Sequence, residues 1–175
     1  MRYNVFTLLA RLGFGNKRAA TQVFYNRVVA AARDPRLYKL PFSVPDTPEG
    51  RFEALNIHLW LVLRGLKGDA RANVLMGLFA RDLDASAREL GVGDLSVGKK
   101  VKDLVAIFYG RIILYDRALK QDDSRMALQE AFGTPVPALA DLLPAYAQRI
   151  EHWLNTNSSN DFPLWVDAQD SRLNN

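Results

Sequence analysis

Arg88-Glu-Leu-Gly-Val-Gly-Asp-Leu-Ser-Val-Gly-Lys-Lys-Val-Lys102, running on to Phe108-Tyr-Gly-Arg111, reads as a helix end, a glycine-rich turn and a new helix. Gly91 suits the position just past a helix C-terminus, where a left-handed residue closes the last turn. Upstream, Leu75, Leu78, Phe79, Leu83 and Leu90 recur at helical spacing. Downstream, Val101, Leu104, Val105, Phe108, Ile112, Tyr115 and Leu119 fill one helix face, and Ala106, Ile107, Gly110, Ile113 and Leu114 lie opposite. A helix apolar on both sides is expected to be the central, most buried one. Gly110 costs about 1 kcal/mol against alanine in a helix interior, so it is expected to admit a close neighbouring helix. Lys99, Lys100 and Lys102 are predicted in the opening of this helix, where the dipole and the free N–H donors favour acids instead. A local rule broken three times marks a candidate site.

The same periodicity extends outward. Val5, Phe6, Leu8, Leu9 and Leu12, with Arg2 and Arg11, predict a short amphipathic helix ended by Gly13 and Gly15. A second helix is predicted from Lys17 to Ala32, stopped by Asp34-Pro35 because the residue before proline avoids helical backbone. Arg36 to Asp46, with Pro41 and Pro45, reads as an extended loop. Thr47-Pro48-Glu49 is a helix start with a capping hydroxyl, proline at the first position and an acid in the first turn. Phe52, Leu55, Leu59, Val62, Leu63 and Leu66 follow, and Gly68-Asp69 restarts the chain. Further helices are predicted from Asp122 to Phe132 and from Pro137 to Leu154, the last one kinked or beginning at Pro144. Phe162-Pro-Leu-Trp165-Val166 is an apolar island after a polar run, expected to dock back on the body. No strand alternation, heptad run or repeat is present. The expected fold is all-α, a compact single-domain bundle of about six or seven helices. Residues 1–15 are predicted as a basic amphipathic helix, 16–154 as the helical body and 155–175 as a C-terminal tail.

Composition narrows the function. The chain has 175 residues, 49% hydrophobic and 24% charged, which suits one globular domain. It has no cysteine, so disulfides, thiolate metal sites and a cysteine nucleophile are excluded. The two histidines, His58 and His152, are far apart in sequence, so neither belongs to a histidine-pair metal motif. No apolar run approaches the roughly 18 residues of a membrane span, and no signal-peptide pattern opens the chain. Residues 1–120 hold 20 basic and 11 acidic side chains, whereas residues 121–175 hold 3 and 8. A basic front invites an anionic partner: a lipid surface, RNA or an acidic protein.

Each candidate residue has two readings. Asp94, Lys99, Lys100, Lys102, Tyr109 and Arg111 form a candidate partner-binding set; alternatively the lysines are solvated, and Arg111 and Arg117 make structural ion pairs with groups such as Asp116, Glu89 or Asp103. Phe6, Leu9 and Leu12, flanked by Arg2 and Arg11, form a candidate membrane-contact face; alternatively that helix packs on the body. His58 reads as a hydrogen-bonded core residue and His152 as a packing or surface one. Asp82, Asp84 and Glu89 offer carboxylates but no acid–base dyad, and Asp84 with Arg88 is a helical i,i+4 pair. No metal, cofactor or catalytic residue is expected.

Six blocks in order resemble the ubiquinol–cytochrome c chaperone family: Leu37-Tyr38, Val44-Pro-Asp-Thr-Pro-Glu-Gly-Arg-Phe52, Leu55-Asn-Ile-His58-Leu-Trp60, Arg88-Glu-Leu-Gly-Val-Gly-Asp94, Lys99-Lys-Val-Lys102 and Phe108-Tyr-Gly-Arg111. They cover about residues 20 to 120. The resemblance implies a non-enzymatic assembly chaperone that binds newly synthesised cytochrome b during biogenesis of ubiquinol–cytochrome c reductase. It also implies a possible small partner chaperone, with the ribosome or an anionic membrane surface as further partners, and no DNA. Together with the short N-terminus it points to a bacterial member, cytoplasmic and peripheral at the inner membrane. The alternative is a basic helical module that binds RNA or the ribosome through its lysines and arginines.

Overall fold

The computed structural model describes residues 5–120, 123–156 and 162–165, with side chains from residue 19 onward. Among them lie six α-helices, one short 3-10 turn and no strand: α1 (Val5–Ala32), the 3-10 turn (Pro35–Tyr38), α2 (Pro48–Gly65), α3 (Ala70–Glu89), α4 (Asp94–Leu119), α5 (Ser124–Phe132) and α6 (Pro137–Asn155). The all-α bundle expected from periodicity is the one observed.

Local chemistry sets most of the boundaries. The Thr47 hydroxyl accepts from the Gly50 N–H at 3.1 Å, and Pro48 opens α2 as expected. The Asp69 side chain accepts from the Arg71 N–H at 2.8 Å and starts α3. At the far end of α3, Gly91 takes φ 80°, and the Val92 N–H donates to the Ala87 carbonyl at 3.0 Å. That bond, reaching back along the chain, satisfies a carbonyl the helix end leaves free. Pro137 is the first residue of α6, which continues through Pro144.

Three expectations are corrected. α1 runs unbroken past Gly13 and Gly15, so the separate helix predicted to end there is the first part of one 28-residue helix. Glycine lowers helix propensity by only about 1 kcal/mol, which a long helix absorbs. The loop from Arg36 contains the 3-10 turn, and it buries Leu37, Phe42 and Val44. Most consequentially, α4 is not the central helix. That place belongs to α2, which is buried at Ala54 and at every residue from Asn56 to Val62. α4 lies at the side of the bundle and buries one face only, through Val97, Phe108, Leu114, Tyr115 and Ala118.

The Val44–Phe52 block owes its residue types to a tight approach of the loop to the start of α2. A Cβ on Gly50 would stand 2.1 Å from the Pro45 carbonyl oxygen. Backbone cannot swing aside as a side chain does, so we expect Gly50→Ala to destabilise the protein by about 1–3 kcal/mol, the usual range for overpacking. Urea unfolding checks this; an unchanged midpoint would show that the loop is free to shift. The same loop is tied by Arg51, which donates to Asp46 at 2.6 Å and lies 5.8 Å over the Tyr38 ring.

Candidate functional site: the outer face of α4

Leu95, Lys99, Lys102, Ala106, Tyr109 and Ile113 follow one another at spacings of four and three, which aligns them along one side of α4. The bundle leaves most of that side open. Leu95 is fully exposed, Tyr109 57% and Ile113 66%, with Ile107 beside them at 45%. Lys99, Lys100 and Lys102 are exposed and make no ion pair among the described residues. The surface is therefore a strip with lysines towards one end and apolar groups along its length. α4 has 26 residues, so the strip lies on a helix about 39 Å long. A Cβ added at Gly98 or Gly110 would meet nothing within 4 Å. Gly110 thus admits no close neighbour among the described residues, contrary to the sequence expectation.

The position of the lysines is also corrected. α4 begins at Asp94, with Gly93 as its cap, so Asp94 is the acid in the first turn. The lysines fall in the second and third turns, beyond the reach of the dipole, which fades within the first. The helix obeys the end rule through Asp94, and the lysines break none. Sequence periodicity placed the helix correctly but not its first residue.

The remaining charged members of the predicted partner-binding set are occupied within the chain. Asp94 is hydrogen-bonded by Arg88, which also donates to Asp84 at 2.7 Å, so one guanidinium clasps the end of α3 to the start of α4. Arg111 donates to Glu53 of α2 at 2.6 Å, and the Tyr115 hydroxyl donates to the other oxygen of that carboxylate, also at 2.6 Å. Glu53 is buried, and the Tyr115 hydroxyl titrates well above its ordinary range, chiefly because it is buried and also because it faces that carboxylate. Arg117 pairs with Asp123 and, at 3.4 Å, with Glu130 of α5. These acids differ from the neighbours Asp116, Glu89 and Asp103 suggested by sequence proximity, because helix packing brings in partners from α2 and α5. Asp116 instead accepts from the Trp60 indole at 3.2 Å and lies 3.6 Å from Arg64.

His58 is buried on α2, with Nδ1 bonded to the Ala54 carbonyl at 2.6 Å, the core role expected of it. His152 is exposed at the end of α6. Arg2 lies outside the described residues; Phe6, Leu9, Arg11 and Leu12 fall within α1, but their side chains lie outside the described ones. A cleft of about 570 Å³ between α1 and α3, missed by sequence reading, is lined by Gln22, Tyr25, Asn26, Arg33, Arg81 and Asp82. There the Tyr25 hydroxyl donates to Asp82 at 3.1 Å, a pairing 57 residues apart that no local pattern announces. Among the described residues no helix is long and apolar enough to cross a membrane.

The bundle pairs its buried Glu53 with Arg111 and Tyr115 and leaves a basic and apolar strip exposed on one helix. The chain belongs to the ubiquinol-cytochrome C chaperone family, whose model matches residues 41–161. It is similar to the crystal structure of the Cbp3 homolog from Brucella abortus, with a TM-score of 0.69 and 36% identity over 89% of this chain and 91% of that one. It is also 26% identical over 90 residues to ubiquinol-cytochrome-c reductase complex assembly factor 1 of Xenopus laevis; the match takes in 49% of this chain and 45% of that protein. The chain thus aligns with about half the length of that curated relative.

Proposed function

We propose that this protein is a non-enzymatic assembly chaperone that holds newly synthesised cytochrome b during biogenesis of ubiquinol–cytochrome c reductase, and that the outer face of α4 is its principal contact surface. The observation that carries the reading is the strip itself. A chain of this family leaves Leu95, Tyr109 and Ile113 exposed in line with lysines that make no ion pair among the described residues. A phosphate backbone would use the lysines but would leave those apolar groups wet, so the strip favours a protein surface over RNA. Lys99, Lys100, Lys102 and Tyr109 make direct contact in this reading, while Asp94 and Arg111 hold the face in place through Arg88 and Glu53. The same face suits a small partner protein. The protein works in the bacterial cytoplasm at the inner membrane, with Phe6, Leu9 and Leu12 against lipid and Arg2 and Arg11 at the headgroups, and it reaches the ribosome when the client emerges.

The test is a deletion strain complemented by variants. Deletion should lower spectrally detected reductase and leave other respiratory complexes near normal. The Lys99→Glu, Lys100→Glu, Lys102→Glu triple variant should keep the wild-type melting temperature, since surface changes away from special features stay within about 0.5 kcal/mol. It should capture cytochrome b about tenfold more weakly, at roughly 0.5 kcal/mol for each exposed charge pair removed. Normal reductase in the deletion strain would sink the chaperone reading; a stable triple variant with full capture would move the surface elsewhere.

A further inference from the structure

The apolar island after α6 does dock on the body, and the place where it docks is built like a binding groove. Trp165 stacks on Tyr146 with ring centres 4.2 Å apart, and its ring stands nearly perpendicular to that of His58 with centres 6.2 Å apart. Phe162 lies against Trp153 at 5.3 Å and Phe24 at 6.4 Å, and Phe24 and Trp153 stack on each other at 5.2 Å. The Tyr146 hydroxyl donates to the Pro163 carbonyl at 3.0 Å. α1, α2 and α6 therefore supply a cleft walled by aromatic rings, and one short segment fills it.

The fit is incomplete in its polar part. His58 is 1% exposed and Trp165 2%, yet His58 Nε2 and the Trp165 indole nitrogen find no hydrogen-bond partner among the described residues. With Nδ1 facing the Ala54 carbonyl and therefore carrying the proton, Nε2 offers a lone pair with nothing to accept. A buried polar atom without a partner opposes burial, and among the described residues the docked segment leaves a hydrogen bond unmade at each nitrogen. The family match ends at residue 161, immediately before this segment. Residues 155–161, which precede it, include no apolar side chain.

We propose that the cleft formed by Phe24, His58, Tyr146 and Trp153 is a second binding site, for a short extended apolar segment of a client polypeptide, and that Phe162–Trp165 is its occupant in the free chain. A client segment displaces it by presenting an aromatic or branched apolar side chain to Tyr146 and a hydrogen-bond donor to His58 Nε2. The nature of the client rests on the chaperone reading; the existence of the cleft and of the exchange does not.

The probe is a fluorescein-labelled peptide of residues 160–167, titrated by anisotropy into the full chain. A tethered competitor acts at an effective concentration near the millimolar range for a short connection. The double variant Phe162→Ser, Trp165→Ser should therefore bind the peptide at least about tenfold more tightly than wild type, and adding Phe24→Ala should abolish the gain. Equal affinity for the double variant and wild type, or no binding to a folded double variant, would overturn the proposal. If the double variant fails to fold, hydrogen exchange on the wild-type chain decides. Saturating peptide should speed exchange at 162–165 and leave α2 and α6 protected; an unaltered tail under saturation overturns it. A deletion strain with normal reductase would remove cytochrome b as client and leave the peptide result standing, so the two failures are distinguishable.

Discussion

Arg111→Met is expected to lower the unfolding free energy by about 3 kcal/mol. Removing one partner of a buried ion pair typically costs about 3–5 kcal/mol, because the other charge is left uncompensated. Glu53 has a side chain 6% exposed and Arg111 one 30% exposed, so some solvent reaches the guanidinium and the lower end of the range applies. Tyr115 stays as a donor to Glu53 but cannot neutralise it. Combining Arg111→Met with Glu53→Gln should recover a large part of the loss, since the uncompensated charge goes with its partner. Chemical unfolding of the two single variants and the double variant measures this. Additive losses would show that the pair is not coupled; full stability of Arg111→Met with weakened client capture would return Arg111 to the contact surface.

The second large effect is on pH dependence. Burial lowers the His58 pKa from 6.5 to about 4, against smaller opposing contributions from the Ala54 carbonyl and Asp34. Above about pH 6.5 the ring is neutral in folded and unfolded chains and adds no slope. Below that, the unfolded chain takes up a proton the folded chain refuses. Stability therefore falls with pH until about pH 4, where the folded ring is protonated too. The loss across that window is roughly 3 kcal/mol. His58→Gln removes the titration, so its stability should fall less steeply over the window even if it starts lower at neutral pH. Urea midpoints from about pH 7 to about pH 4 compare the two slopes. Parallel profiles would mean that the ring is solvated or that another group carries the acid sensitivity.

Both effects depend on α2, whose sequence block Leu55-Asn-Ile-His58-Leu-Trp60 looks unremarkable for a helix. Its capping signal at Thr47 and its apolar period were plain. Its centrality was not, because α4 shows apolar residues over more of its circumference. The difference is one of coverage. Each of the two touches at least four other helices, but α2 is buried continuously from Asn56 to Val62, whereas α4 buries one face only. Period alone states which residues are apolar, and it does not say how much of the circumference the neighbours cover. Of the residues that made α4 look central, Ala106, Ile107, Gly110 and Ile113 are instead its open surface, and of that opposite side Leu114 alone is buried.

The sequence by itself determined where most of the helices lie and several of their ends, though not the continuity of α1 past Gly13 and Gly15 or the first residue of α4. Thr47, Pro48, Asp69, Gly91 and Pro137 act within a turn of their own position, so their effects are local and readable. It also determined the family, through blocks whose glycine at position 50 and arginine at position 88 answer to groups a few residues away. Tertiary structure alone decided which charges are free. Arg111 finds Glu53 at a separation of 58 residues and Tyr25 finds Asp82 at 57, while Lys99, Lys100 and Lys102 find no acid among the described residues. It also decided that Trp165 closes on Tyr146 and His58. Side-chain pairing at such distances follows from how helices pack, and that is a property of the whole chain and not of any stretch within it.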